Sequence, residues 1–316
     1  MLLKQVIELF DILDTPKACG QIVKEYLLSV NKHADIDVYP LHGPKGKTDM
    51  VRIMIPGIHG KSKGMDAPTI GLLGRLGGLG ARPQVTGFVS DGDGALAALA
   101  AAAKLLDMQI KGDFLEGDVI VSTHICPDAP TRLHEPVPFM DSPVEMSQVN
   151  AEEVSPKLDA ILSVDTTKGN RIINHRGIAI SNTVKEGYIL PCSEDLLDVA
   201  ERVTGSLPHV FSLSTLDITP YENGLYHLNS ILQPCTATCA PTVGVAIVAE
   251  SSVAGCATGA TQFADVEMAA RFLVEAAKDF GRNVCRFYNE KEYAEAVRRY
   301  GSMKHLQTAG STEGEI

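Results

Sequence analysis

The sequence predicts an α/β fold, a central mixed sheet with helices on both faces, and three observations predict it. Strand-like and helix-like segments alternate almost from end to end. Several strand-like segments, such as 118–124 and 243–249, are near-continuous apolar runs, the pattern of strands covered on both faces. Three such segments are followed by acids: Asp91, Asp128 and Asp165. In sheets of this kind ligands gather beyond the carboxyl ends of the strands, so these acids are the leading candidates for chemistry.

The elements follow in order. Residues 1–31 carry apolar residues at helical spacing, interrupted near Thr15-Pro16, which predicts two helices. Strands are expected at 34–39 and 51–55, separated by the turn-rich His42-Gly43-Pro44-Lys45-Gly46. In the glycine-rich stretch 57–82 a helix is predicted after Asp66, with Pro68 in its first turn. A strand at 84–89 then leads into Asp91-Gly92-Asp93-Gly94 and an alanine-rich helix to Met108. The strand 118–124 precedes a stretch, 126–156, whose prolines, Pro127, Pro130, Pro136, Pro138 and Pro143 among them, argue against regular structure. Beyond it come a strand at 159–164, a hairpin at 171–181, a helix at 193–204 and a strand at 209–213. A strand at 243–249 and helices at 264–280 and near 290–300 close the pattern. Residues 1–305 are expected to form one domain, and 306–316 a flexible polar tail.

Composition bounds the function. The 316 residues are 45% hydrophobic and 21% charged, as in an ordinary soluble globular chain. A formal charge of −11 argues against nucleic acid or an anionic membrane as partner. The first ten residues read as an amphipathic helix rather than a signal peptide, and no uncharged apolar run is long enough to cross a bilayer. Seven cysteines without a paired framework suit reduced thiols, so a cytoplasmic location is expected.

Two motifs fail on spacing. Gly60-Lys61-Ser62 follows a strand, but a phosphate-binding loop needs a glycine five residues before its last glycine, where Ile55 stands. Cys235 and Cys239, with Cys256 beyond, lack the second ligand pair of a structural zinc site. The acids are different. Asp91 and Asp165 could each be a local cap, but three carboxylates at one sheet edge repel one another unless a cation or a proton relieves them. Their joint occurrence favours a metal site.

The order of these segments resembles the dizinc aminopeptidases of the glutamyl, deblocking and tetrahedral type, collinearly over residues 1–282. The chain also looks like a member of a bacterial and archaeal domain-of-unknown-function family. Val51 to His59 is similar to the strand delivering the first zinc histidine, and Asp91 through Ala102 to the bridging aspartate and its small-residue helix. Asp118 to Asp128 is similar to the strand before a Glu-Glu pair, and Leu162-Ser163-Val164-Asp165 to the Val-Asp ligand strand. The resemblance implies a three-layer zinc-peptidase-like, or phosphorylase/hydrolase-like, fold without the inserted lid domain. It also implies a divalent metal held by Asp91, Asp128, Asp165 and His59.

The departures from the family's pattern concern the chemistry. The general base falls on Pro127, no acid follows His59 at the expected spacing, and no histidine stands near Gly255-Cys256. The oxygen-rich set suits manganese or magnesium better than zinc. His124, Glu135 and Asp93 are the candidate bases. The expected activity is metal-dependent hydrolysis of a small amide, peptide or modified amino acid, with cyclisation as a weaker variant. The alternative is a non-catalytic descendant that binds a small-molecule or peptide ligand, or a partner. A homo-oligomer is left open, and ordinary zinc aminopeptidase activity is not expected.

Overall fold

The computed structural model describes residues 2–75, 87–133, 139–251 and 261–308. Two helices open the chain, α1 (Leu2–Leu13), burying Leu2, Val6, Leu9 and Leu13, and α2 (Gly20–Val30). The hairpin β1 (Asp35–Gly43) and β2 (Gly46–Ile55) follows, then β3 (Ile70–Gly74) and α3 (Asp93–Ile110). Next come β4 (Val119–Ile125), the short pair β5 (Thr131–Arg132) and β6 (Phe139–Met140), α4 (Met146–Glu153) and β7 (Ala160–Thr167). The remainder comprises β8 (Gly177–Ile180), β9 (Val184–Lys185), β10 (Tyr188–Ile189), α5 (Glu194–Thr204) and β11 (His209–Val210). It ends with β12 (Thr242–Val248), α6 (Phe263–Gly281) and α7 (Glu290–Tyr300).

The main sheet runs in the order β1-β2-β4-β3-β7-β12-β8-β11, with β9 also on β12. Its centre, β4, β3, β7 and β12, is parallel throughout, whereas β2, β8 and β11 run against it. From β3 the chain crosses through α3 to β4 on one side, then returns past β3 to β7 on the other. The strand order therefore reverses at β3, the position beside which such sheets bind ligands.

Helix α3 is buried along most of its length, which suits its run of alanines, the strongest helix formers and the smallest side chains to pack. It packs with α1 and α6 on one face of the sheet. Close approach is achieved through Gly74, where an added Cβ would stand 2.7 Å from the Ala95 Cα of α3. The opposite face is covered at the carboxyl end by α4 and the 3-10 turns Thr215–Ile218 and Gln233–Ala237.

Several expectations are corrected. The helix foreseen after Asp66 is the strand β3: the apolar run Ile70-Gly71-Leu72-Leu73-Gly74 pairs with β4 and β7 on either side, and its two glycines admit close neighbours. Of the strand foreseen at 84–89, residues 84–86 lie outside the described residues and 87–89 pair with no strand. The hairpin at 171–181 is replaced by β8, which pairs with the distant β12. The proline-rich stretch carries β5, β6 and α4. In the tail, Gln307 donates to the carbonyls of Cys235 and Thr238, so residues 306–308 are docked, and 309–316 lie outside the described residues. Among the described residues no helix is long and apolar enough to cross a membrane.

Candidate functional site at the carboxyl edge of the sheet

Register builds the site. Leu73 of β3 pairs with Ser122 of β4 and Ser163 of β7, and Gly74 pairs with Val164. The Arg75 amide continues the ladder by donating to the Val164 carbonyl at 2.8 Å. One row further, Arg75 stands between His124 and Asp165 on three adjacent strands. Neighbours in a parallel sheet share a face and successive residues alternate. Gly74 and Val164 face α3, so His124, Arg75 and Asp165 face α4 and the 230–237 turn.

The first turn of α3 brings two more acids to this edge. An added Cβ on Gly94 would stand 2.4 Å from the Val164 carbonyl oxygen and 2.9 Å from that of Arg75, so only glycine lets the helix start lie this close to the strand ends. The Thr166 hydroxyl donates to the Ser90 carbonyl at 2.6 Å and fixes the same junction. Asp91 and Asp93 follow directly. Lys168, just past β7, places its ammonium 2.6 Å from the Asp91 carboxylate. The Thr261 hydroxyl donates to Asp93 at 2.7 Å.

Asp165 is held from two sides, accepting from the Ser230 hydroxyl at 2.7 Å and from the Thr166 amide at 2.7 Å. Burial pushes its carboxyl up to about 6, and Ser230, Arg75 and Thr166 offset part of that. Asp93 is pushed well above the carboxylate range, chiefly by burial, with Asp91, Asp265 and Asp165 adding to it against the Thr261 hydrogen bond. His124 moves the other way, down to about 3, because it is buried and faces the Arg75 guanidinium.

Ser230 reaches Asp165 because a buried scaffold holds its loop. The Asp217 carboxylate accepts from the Ser214 amide and hydroxyl and from the amides of Leu228 and Asn229, at 2.6–3.0 Å. Gln233 adds its own amide to the carbonyls of Asp217 and Thr219. Nothing in the sequence marks Asp217 apart from its place three residues after Ser214, the spacing of a capping pair.

The expected residues divide clearly. Asp91, Asp93 and Asp165 come together. Asp128 stands exposed past the end of β4, with the Cys126 thiol 3.9 Å from it. His59 is misplaced by the expectation: β2 runs against β4, so its carboxyl end emerges at the amino edge of the parallel strands. There His59 bonds Glu116 at 2.5 Å, and its amide donates to the Glu116 carbonyl. The strand that does lead to the acids is β3, and the residue just past its end is Arg75. Of the candidate bases, Glu135 lies outside the described residues, as does the Gly255-Cys256 position. His124 is neutral but holds a proton too weakly for a base working near neutral pH. Asp93 is at the site with a raised proton affinity.

The acids at this edge are already engaged by side chains. The cations already at the edge are Arg75 and Lys168, and the latter engages Asp91, the carboxylate expected to bridge two metals. Asp165 spends one oxygen on Ser230 and the other on Thr166. Among the described residues no group of three or more His, Cys, Asp and Glu side chains could hold a metal ion.

Several solved structures share the fold. One is a glutaminyl cyclase of an Acidobacteriales bacterium, 12% identical with a TM-score of 0.51, the match covering 89% of this chain and 94% of that one. A second is the leucine aminopeptidase LAP1 of Caenorhabditis elegans, 12% identical with a TM-score of 0.52, covering 88% of this chain and 66% of that one. The third is the bottromycin maturation enzyme BotP in complex with Mn, 15% identical with a TM-score of 0.52, covering 87% of this chain and 70% of that one. At these identities the likeness establishes the fold alone, the three-layer zinc-peptidase-like α/β architecture. No curated protein matches the chain in sequence. Residues 40–310 match the family described as "Protein of unknown function (DUF1177)", and with that share of its length the chain belongs to this family.

Proposed function

We propose that the chain uses the carboxyl edge of the sheet in a peptidase-like fold to bind a small peptide- or amide-like molecule. The charge of this site is set by side chains instead of a divalent ion. The observation that carries this reading is Lys168 on Asp91 at 2.6 Å. An ammonium on that carboxylate removes the electrostatic demand for a metal, and it would have to leave before a metal could bind. Arg75, in register beside Asp165, supports the same reading. Protein-bound cations and acids at one edge suit a ligand carrying both signs of charge or both kinds of hydrogen-bonding group.

The second reading is metal-dependent hydrolysis, with Asp91, Asp128 and Asp165 as ligands and Asp93 as base. It has in its favour that Asp128 follows β4, Asp165 lies near the end of β7 and Asp91 precedes α3 at this edge, and that BotP, of similar fold, was solved with Mn. Metal content separates the two. Protein purified without chelator is expected to carry well under one equivalent of zinc, manganese or magnesium, and to cleave no member of a dipeptide panel when these ions are added. One or more equivalents retained through gel filtration, together with peptide turnover, would establish the metal-dependent reading instead.

A further inference from the structure

The guanidinium of Arg75 is fully shut off from solvent, yet only one of its three nitrogens is used. Nη1 donates to Asn150 Oδ1 at 2.9 Å and to the Glu153 carboxylate. Nε and Nη2 have no partner. These two nitrogens lie on the same edge of the planar group and form the side-on fork that matches the two oxygens of a carboxylate. A buried donor left unmade costs free energy, and two parallel ones on a single charged group are rare in a folded chain.

The fork has company on the same face. Ser122 Oγ, Glu153 Oε1 and Gln233 Oε1 are also buried without partners, and so is His124 Nε2, whose ring is fixed by the 2.9 Å contact between Nδ1 and Thr48 Oγ1. Register sets Ser122 and His124 on the strand next to Arg75. Glu153 belongs to α4, and Gln233 to the turn that packs on α4. The open groups are thus donors clustered on the sheet and acceptors on its cover. Four of these five residues played no part in the sequence-based expectation.

We propose that the Arg75 fork is the anchor for a free carboxylate on the ligand, with Glu153 and Gln233 available to an N–H of the same molecule. This inference rests on the reading above and narrows its ligand class to small amides or peptides with a free carboxyl group. Because α4 covers the guanidinium, ligand entry requires α4 to shift, and binding is expected to be slow.

The test compares alanyl-alanine with its carboxyl-terminal amide, titrated into the full-length protein by calorimetry. The dipeptide should bind at least tenfold more tightly than the amide. Arg75→Lys, which keeps the charge and loses the fork, should reduce binding of the dipeptide at least tenfold and erase its preference for the acid over the amide. Should that variant fail to fold, the Nε–H resonance of Arg75 in the natural protein provides the readout: it should shift on adding dipeptide and stay fixed on adding amide. Equal affinity for acid and amide, or an unmoved Arg75 resonance at saturating dipeptide, would overturn the proposal. So would a crystal structure grown with dipeptide in which ordered water alone fills the fork. Metal content is independent of these measurements. Stoichiometric metal would refute the metal-free reading, whereas metal-free protein indifferent to the carboxyl group would refute only the fork.

Discussion

The two edges of the parallel strands each bury an acid, and they treat it in opposite ways. At the amino edge Asp118 accepts from the Gly57 amide at 2.9 Å, the Ser62 amide at 2.7 Å and the Ser62 hydroxyl at 2.8 Å. Its neighbour Asp159 is bonded by Lys61 and by the Thr69 amide. Those carboxylates are consumed in tying the 56–69 segment to the sheet. At the carboxyl edge Asp165 and Asp93 are buried with raised proton affinity, beside an arginine with two open nitrogens. Satisfied polar groups at a sheet edge read as architecture. Unsatisfied ones, at the point where strand order reverses, read as a site.

The sharpest way to break this comparison is to remove the central cation. Arg75→Met leaves Glu153 buried without its partner, and loss of one member of a buried pair costs roughly 3–5 kcal/mol. Urea denaturation should show this, and the double variant Arg75→Met with Glu153→Gln should recover part of it. A loss below about 1 kcal/mol would mean that the pair is not buried as described.

At the amino edge Asp118→Ala should be costly for stability alone. It strands the Gly57 and Ser62 amides, at about 1–3 kcal/mol for a buried group left without a partner. Ligand binding measured on the surviving folded protein should be unchanged, and a lost binding signal would erase the division between the edges.

His124 gives a pH test. Its folded pKa, about 3, lies below the ordinary value of 6.5, so the unfolded chain binds the extra proton first. Its contribution to stability is therefore complete above pH 6.5 and declines as pH falls toward 3, by up to about 1.4 kcal/mol per pH unit. Between pH 6.5 and 4.5 the natural protein should lose about 2 kcal/mol more than His124→Gln, read from denaturation midpoints. Parallel pH profiles would show that the imidazole is not buried in neutral form.

The smallest effect is expected at His59. It is exposed and paired only with Glu116, so His59→Ala should change stability by no more than about 0.5 kcal/mol. Metal content and dipeptide affinity should stay the same. A change in either would return His59 to the site.

By itself the sequence determined the local pattern. Alternation and apolar runs located most helices and strands, because burial of one face or two imposes its period on the residues themselves. The pattern also identified Asp165, because an acid closing an apolar strand-like run stands near a sheet edge whatever the neighbouring strands do, and Asp91, because it opens the alanine-rich helix. It could not determine which edge. A period records that a strand is buried, not the direction in which it runs, and direction depends on partners far away in the chain. His59 was lost for that reason: β2 is antiparallel to β4, and the residue emerges on the far side. Arg75 was hidden for the same reason, since a short glycine-punctuated run became a strand only when β4 and β7 closed on it. The charges at this edge, Arg75 beside Asp165 and Lys168 on Asp91, meet only in the tertiary structure, where non-local register brings them together.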